Sequence, residues 1–201
     1  MVGADHDVEV SRERLHAAGD TIWGRSRDQQ QSVTVGDLFT TAGLEHDPGL
    51  LGAYFEFWEP HTLTDPEVRP LWEQLRADGI KVGVLSHTIW PRRFHRDIFE
   101  RDGVLDLIDG DVYSSEIPWT KPSPRAFRAA REAVGVEAPA RCVYVGDRLF
   151  DDVWGAQDAG MRTIHVPHST IPAHQVGHTE GTRDAVVRRI GEVADIVRGW
   201  G

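Results

Sequence analysis

Hydrophobic residues in this 201-residue chain change their spacing near residue 64. Before that point they recur at helical intervals, with no strand pattern between them. The spacing predicts three helices, over residues 11–26, 35–43 and 48–58. Thr34, followed by Asp37 three residues later, is a plausible N-terminal cap for the second helix. Residues 1–64 are therefore expected to form a small helical module.

After residue 64, short apolar runs rich in β-branched residues alternate with helical segments. The predicted strands cover residues 80–85, part of 105–113, 143–145 and 163–166. The predicted helices cover residues 71–76, 92–99, 124–134, a segment through Ala159, and 182–200. The last helix is expected to pack on the sheet through Ala185, Val186, Ile190, Val193 and Val197. Such alternation predicts an α/β core with a doubly wound parallel sheet over residues 65–201.

Charge and composition narrow the class of partner. The chain has 22 Lys and Arg residues against 32 Asp and Glu residues, a formal net charge of -10, which disfavours nucleic acids and anionic membranes. Its single cysteine, Cys142, excludes an internal disulfide, and neither a membrane-spanning run nor a signal peptide is visible. We expect a cytosolic protein that binds a small phosphorylated metabolite through local cations, a metal or backbone N–H groups.

The sequence RCVYVGDRLFDDVWGAQDAGM carries the strongest chemical signal. Its apolar run stops at Gly146, which places Asp147 at the predicted carboxyl end of a strand. Ligands collect at the carboxyl ends of strands in open α/β sheets, and carboxylate oxygens suit Mg²⁺. Asp147, with Asp151 and Asp152 just beyond it, is therefore a candidate magnesium site. Alternatively, Asp151 and Asp152 only supply negative charge to the first turn of a helix.

Two further segments carry matching polar residues. In KVGVLSHT, Ser86 and His87 follow a predicted strand directly, where a hydroxyl and backbone N–H groups can hold phosphate. In IPWTKPSP, Lys121 precedes a predicted helix N-terminus, and its ammonium can neutralise phosphate or a catalytic carboxylate. We expect Ser86, His87 and Lys121 to bind substrate.

From about residue 68 to residue 166 the chain resembles the core of the haloacid dehalogenase-like (HAD) hydrolase superfamily. Ser86 in VGVLSHT matches the second motif of the family, and Lys121 in TKPSPRAF matches the third. Asp147 and the DD pair in VGDRLFDDVWGAQDAGM match the fourth motif, whose acids bind Mg²⁺. Three motifs in the family's order are far more specific than any one of them.

The resemblance implies Mg²⁺-dependent hydrolysis of phosphate esters through an aspartyl-phosphate, with Ser86 and Lys121 acting in catalysis. The phasing of the fourth motif against the Ala-Gly pair that follows it favours Asp152 as the second metal ligand, with Asp151 in reserve. The helical module at residues 1–64 is similar to the small cap that many members place over the pocket. Two alternatives stay open: a metal-independent haloacid dehalogenase, and a non-catalytic homologue that binds a phosphorylated ligand or a protein.

The first motif of the family, an apolar strand that ends in Asp-x-Asp and supplies the nucleophile, is not found. Ahead of the first predicted helix, the only Asp-x-Asp is Asp5-His6-Asp7, and the residues before it are too few for a strand. In this family that strand lies between those that end at Ser86 and Asp147, so its loss would leave two half-sheets with unpaired edges. We expect the strand to be encoded upstream, and the chain as written to be unstable or inactive. A degenerate homologue is the alternative.

Two other groups of residues leave their roles open. Glu116 is either a partner of Lys121 or a surface acid. Four histidines at and beyond the last predicted strand invite a zinc interpretation, but they lack the usual ligand spacing, and a solvated loop is favoured. They are His165, His168, His174 and His178.

Overall fold

The computed structural model describes residues 2–45, 48–167 and 181–200. The helices are α1 (Val2–Gln29), α2 (Val35–Thr41), α3 (Pro48–Trp58), α4 (Val68–Ala77), α5 (Arg92–Arg101), α6 (Pro124–Ala133), α7 (Gly155–Asp158) and α8 (Val193–Arg198). The strands are β1 (Gly83–Ser86), β2 (Gly110–Tyr113), β3 (Val143–Gly146), β4 (Arg162–His165) and β5 (Ala185–Val186). None of the described helices is both long enough and apolar enough to cross a membrane.

The described strands form two parallel sheets. In the first, β1 pairs with β2 so that Ser86 lies opposite Tyr113. In the second, β4 lies between β3 and β5, with Gly146 opposite His165. Helices cover both faces of these sheets, and every pairing between the named strands is parallel. The predicted doubly wound α/β core is therefore confirmed.

Side chains of β3 alternate between two apolar clusters, one on each face of the sheet. Tyr144 packs with Phe127 of α6 and Ala156 of α7. Val143 and Val145 pack into a cluster built by α4, α8 and the neighbouring strands. The buried residues of that cluster are Leu71, Leu75, Val82, Ile164, Val187, Val193 and Ala194. The continuous apolar run of β3 follows from this burial on both faces.

The two strands that carry the predicted site residues are less buried than their neighbours. All residues of β3 and the last three of β1 are half-buried, whereas Val112, Tyr113 and Ile164 in the neighbouring strands are buried. Within the described residues, β1 and β3 each pair along one edge only. The other edge of each strand therefore presents backbone N–H and C=O groups without strand partners.

The helices α1, α2 and α3 precede the first strand. α1 and α2 share an apolar cluster with Ile89, which follows β1. The predicted cap of α2 is confirmed, because Asp37 Oδ2 accepts a hydrogen bond from Thr34 N at 2.7 Å and Thr34 Oγ1 accepts one from Asp37 N at 3.2 Å. α1 starts earlier than expected and includes Asp5-His6-Asp7, so this tripeptide does not end a strand. The division into cap and core at residue 64 stays a prediction.

The helix predicted for residues 182–200 is wrong in its first half. Ala185 and Val186 form β5 instead, and α8 covers only Val193–Arg198. The backbone N–H of Val187 donates to the carbonyl oxygen of His165 at 3.0 Å, which extends this pairing. The edge of β4 offers hydrogen bonds that a helix would leave unmade, and β-branched valines suit a strand. A partner distant in sequence therefore outweighs the local helical pattern.

A buried carboxylate fixes α5 to β2. Asp111, whose side chain is 5% exposed, accepts hydrogen bonds from Arg96 Nη1 at 3.1 Å and from Tyr113 OH at 3.1 Å. Arg92 Nη1 donates a third, short bond to the same carboxylate. Two guanidinium groups and a hydroxyl thus compensate for the loss of water around Asp111.

We expect Asp111→Ala to lower the free energy of unfolding by about 3 kcal/mol, because two arginines and a buried hydroxyl lose their acceptor. Urea unfolding followed by circular dichroism measures this loss. Asp106→Ala is the control, since that side chain is 71% exposed and lies 4.0 Å from Arg69. The control should change stability by less than about 0.5 kcal/mol. Equal losses in the two variants would contradict the importance of the Asp111 contacts.

Candidate functional site

The centre of the candidate site is a buried ion pair between Lys121 and Asp152. Lys121 Nζ lies 2.5 Å from Asp152 Oδ1, and the two side chains are 12% and 3% exposed. Lys121 stands just before α6, and Asp152 lies in a π-helical turn, Leu149–Trp154, that follows β3. Because both charges are removed from water, each is stable there only in the presence of the other.

The backbone around β3 brings the Asp152 carboxylate into this position. Its second oxygen, Oδ2, accepts a hydrogen bond from the backbone N–H of Arg148 at 2.9 Å. A Cβ atom at Gly146 would collide with the Asp152 carboxylate, so only glycine permits this close approach. Burial raises the pKa of Asp152, but the positive charge and hydrogen bond of Lys121 outweigh it, and the net shift is downward. Asp152 is therefore an anion at neutral pH.

Tyr144 connects the ion pair to the other sheet. Its hydroxyl accepts a hydrogen bond from Lys121 Nζ at 2.9 Å and donates one to the carbonyl oxygen of Leu85 at 3.2 Å. Leu85 directly precedes Ser86, so Lys121 is tied to the carboxyl end of β1. Burial raises the pKa of Tyr144 and keeps its hydroxyl protonated. Sequence reasoning missed this residue, because an aromatic side chain in a strand is usually core packing.

Asp147 and Asp151 carry negative charge near the pair. Among the described residues, the Asp147 carboxylate has no hydrogen-bond or ion-pair partner, and Asp151 Oδ2 lies 3.6 Å from Arg148 Nη1. Burial raises the pKa of Asp151, and the charges of Asp152 and Asp147 raise it further, while Lys121 and Arg148 lower it. No group of three or more metal-ligating side chains occurs within the described part of the chain. The metal roles of the three acids stay predictions.

His87 lies where α1 meets the site. Its Nε2 atom is 3.5 Å from Ser26 Oγ, and its ring contacts the Trp23 ring edge to face with centroids 5.0 Å apart. Burial, followed by the charges of Lys121 and Arg148, lowers the pKa of His87 from 6.5 to about 3. The imidazole is therefore neutral at physiological pH. The Ser86 hydroxyl, next to it, has no hydrogen-bond partner among the residues that the structure describes.

The segment after α1 runs alongside the segment that leads to Lys121. Gln31 and Trp119 form an antiparallel bridge, and Ser32 N donates to the carbonyl oxygen of Pro118 at 3.3 Å. Thr120 N donates in turn to the carbonyl oxygen of Gln30 at 3.3 Å. The helical N-terminal region is thus attached by backbone hydrogen bonds to the residues directly before Lys121.

The structure also decides the residues whose roles were open. Glu116 binds Arg92, through bonds of 2.9 Å to its backbone N–H and to its Nε, and is a half-exposed acid rather than a partner of Lys121. The solvated-loop interpretation is wrong for His165, which is 6% exposed in β4. The strand places it against residues 147–154, the acidic turn that follows β3. The three remaining histidines lie outside the described residues; they are His168, His174 and His178.

The fold and the site together define an α/β protein whose candidate site lies at the carboxyl ends of parallel strands. A buried lysine and a strand-end serine suit a phosphate-like group. The chain belongs to the haloacid dehalogenase-like hydrolases, whose family model matches residues 6–160.

Comparison with individual proteins agrees with this family. The chain is 30% identical to glyceraldehyde 3-phosphate phosphatase of Methanopyrus kandleri, over 98% of this chain and 85% of that protein. It is 35% identical to phosphatase MT3486 of Mycobacterium tuberculosis, over 68% of this chain but only 57% of that protein. A solved HAD phosphatase from Thermococcus onnurineus superposes with a TM-score of 0.62 and 27% identity, covering 81% of this chain and 69% of that one.

Removing either member of the Lys121–Asp152 pair is expected to destabilise the fold. Lys121→Met or Asp152→Asn should each lower the free energy of unfolding by about 3 kcal/mol, because one buried charge is left without its partner. The double variant should lose less than the sum of the two single losses, by about 1–3 kcal/mol. Urea unfolding of all four proteins measures this coupling.

A matched control uses the exposed pair of Arg69 and Glu73, which are 2.9 Å apart with side chains about half exposed. Glu73→Gln should change stability by less than about 0.5 kcal/mol. Additive losses at Lys121 and Asp152 would contradict a coupled buried pair.

The buried neutral state of His87 predicts a pH dependence of stability. Below pH 6.5 the unfolded chain takes up a proton at His87 that the folded chain refuses until about pH 3, so folding stability falls as the pH is lowered across that range. His87→Gln removes this contribution. Between pH 7 and pH 5, the wild type should lose about 2 kcal/mol more stability than the variant. A difference that stays constant with pH would show that His87 is not held neutral.

Proposed function

We propose that the protein is a Mg²⁺-dependent phosphatase that hydrolyses the phosphate ester of a small phosphorylated metabolite. The observation that carries the proposal is the buried Lys121–Asp152 pair, which Tyr144 ties to the strand end at Ser86. The phosphatases among its relatives support the same class of reaction. A cytosolic location, expected from the composition, is part of this proposal.

Lys121 and Ser86 are the proposed phosphate-binding groups. A lysine ammonium has three N–H donors, and the contacts with Asp152 and Tyr144 use two of them. The third remains for a phosphate oxygen. Burial lowers the pKa of Lys121, but the charge and hydrogen bond of Asp152 outweigh it and the net shift is upward, so Lys121 is a cation at neutral pH. Ser86 supplies a hydroxyl without a described partner. The neutral imidazole of His87, next to it, lines the proposed site with a polar group that carries no charge.

Asp147 and Asp151 are the proposed ligands of the magnesium ion. Both carboxylate oxygens of Asp152 already accept hydrogen bonds, so its contacts favour the role of partner to Lys121 over that of second metal ligand. Asp151 is a partly desolvated carboxylate beside two other acids, a surplus of negative charge that a divalent cation compensates. Bound there, Mg²⁺ would supply positive charge to neutralise the phosphate oxygens.

The proposed nucleophile is an aspartate on a strand that is not among these 201 residues. Among the described residues, β1 and β3 each have one edge without a strand partner. This supports the proposal, because a parallel strand between them would find hydrogen-bonding partners on both sides. The carboxyl end of such a strand would lie between Ser86 and Asp147. Its aspartate would attack phosphorus and displace the alkoxide of the ester, which leaves as the alcohol after taking a proton. Water would then hydrolyse the aspartyl-phosphate to inorganic phosphate and free aspartate.

The test is hydrolysis of a generic aryl phosphate, with Mg²⁺ and with EDTA, by this chain and by a chain extended upstream in frame. We expect Mg²⁺-dependent turnover by the extended chain and little by the shorter one. In the extended chain, Lys121→Met should lower kcat by about 10²–10³, because it removes the cation that stabilises the transition state. Glu73→Gln, on the exposed ion pair, is the control and should leave turnover unchanged.

Other outcomes would contradict specific parts of the proposal. Turnover by the short chain that Asp5→Asn abolishes would place the nucleophile in α1. Equal turnover in EDTA would remove the metal from the mechanism. Chloride release from 2-chloropropionate without phosphate release would favour a dehalogenase. Phosphate binding without turnover by the extended chain would favour a non-catalytic homologue.

A further inference from the structure

We infer that His165 is a positioning residue that holds the acidic turn after β3 and thereby orients the Asp147 carboxylate. His165 ends β4, lies opposite Gly146 in the parallel register and is 6% exposed. Its Nε2 atom is 3.0 Å from the carbonyl oxygen of Asp147. The assignment of Asp147 as a metal ligand belongs to the proposed function, whereas the contact with its backbone is a feature of this fold.

The hydrogen bonds of His165 define which ring nitrogen carries the proton. A carbonyl oxygen only accepts, so Nε2 must donate to Asp147. The other nitrogen, Nδ1, lies 3.5 Å from Nη1 of Arg183, which only donates. The ring is therefore fixed as the Nε2–H tautomer between a guanidinium and the carbonyl of the turn. This arrangement resembles the way in which outer-shell groups orient a ligand.

The segment that carries Arg183 also packs against α7 and the π-helical part of the acidic turn. The Thr182 backbone N–H donates to Gln157 Oε1 at 3.2 Å, and Gln157 Nε2 donates to the Thr182 carbonyl oxygen. Gly181 has a φ of +135°, and a Cβ atom there would lie 3.3 Å from the Leu149 carbonyl oxygen and 3.2 Å from Trp154 N. The backbone of residues 181–183 thus lies directly behind the π-helical turn.

Loss of the His165 imidazole removes the hydrogen bond that fixes the backbone of the acidic turn at Asp147. Asp152 remains fixed by Lys121, whereas the Asp147 carboxylate has no described partner to hold it. The Asp147 carbonyl would also lose the donor that satisfies it. The expected effect is therefore local: the turn becomes looser while the sheet and its apolar clusters persist.

Hydrogen–deuterium exchange of the peptide covering residues 147–154 tests this inference. His165→Leu should raise exchange of that peptide on the order of tenfold, because the hydrogen bond to Asp147 is lost. His165→Gln should stay near wild type, since its amide nitrogen supplies a donor close to the position of Nε2. His95→Leu is the matched control, because His95 is a partly buried histidine that bonds Thr88 and stacks on Tyr113, away from the turn.

Mg²⁺ titration by calorimetry gives a second measurement. We expect the dissociation constant of Mg²⁺ to rise about tenfold or more in His165→Leu and to recover in His165→Gln. A looser turn in His165→Leu, together with a wild type that does not bind Mg²⁺, would support the inference and contradict the proposed metal site. Unchanged exchange in a folded His165→Leu, or equal exchange in His165→Gln and His165→Leu, would overturn the inference.

Arg183→Met keeps the test decisive if His165→Leu does not fold. Arg183 is exposed, so its replacement leaves the core intact while removing the donor that faces Nδ1. Exchange of residues 147–154 should rise severalfold at an unchanged melting temperature. Exchange at the wild-type level would then overturn the inference.

Discussion

The buried ion pair between Lys121 and Asp152 is the interaction on which the site depends. It joins the segment before α6 to the turn after β3, and the Tyr144 hydroxyl carries the connection to β1 at Leu85. Desolvation makes each charge costly without its partner, so the pair constrains the conformations of both segments. The lysine is thereby held in place with one N–H donor unused, as a phosphate-binding group requires.

Hydrogen bonds fix the acidic turn at two places. They also determine which polar groups of the site are not already bonded within the part of the chain that the structure describes. Lys121 and the backbone of Arg148 bind Asp152 on one side, and His165 binds the Asp147 carbonyl on the other. With these bonds made, the Asp147 carboxylate and the Ser86 hydroxyl have no partner among the described residues. The described contacts thus hold the backbone of the turn and the Asp152 side chain. The two groups proposed to meet ligands are left without a described partner.

Local signals in the sequence were sufficient for several elements. The bounds of α3 follow from residues within a few positions of each other, and so does the N-terminal cap of α2 by Thr34 and Asp37. Motif order also selected Ser86, Lys121 and the three acids as candidates, and their roles stay predictions. Sequence reasoning did not single out Tyr144, and it weighed His165 only for a zinc site, because the contacts of both residues join positions 18 to 59 residues apart. β5 was missed for the same reason: Ala185 and Val186 fit a helical pattern until the edge of β4 is taken into account.

Because β1 and β3 belong to different sheets, side-chain contacts determine how these two strands are aligned. Strands that share an edge are aligned by backbone hydrogen bonds, but no such bonds join β1 to β3 among the described residues. Their alignment comes from the apolar clusters on the two faces and from the Lys121–Tyr144–Leu85 connection. The relative position of Ser86 and Asp147 therefore depends on packing and on one chain of polar contacts. A strand paired between β1 and β3 would replace that dependence with backbone pairing and place its own carboxyl end at the site.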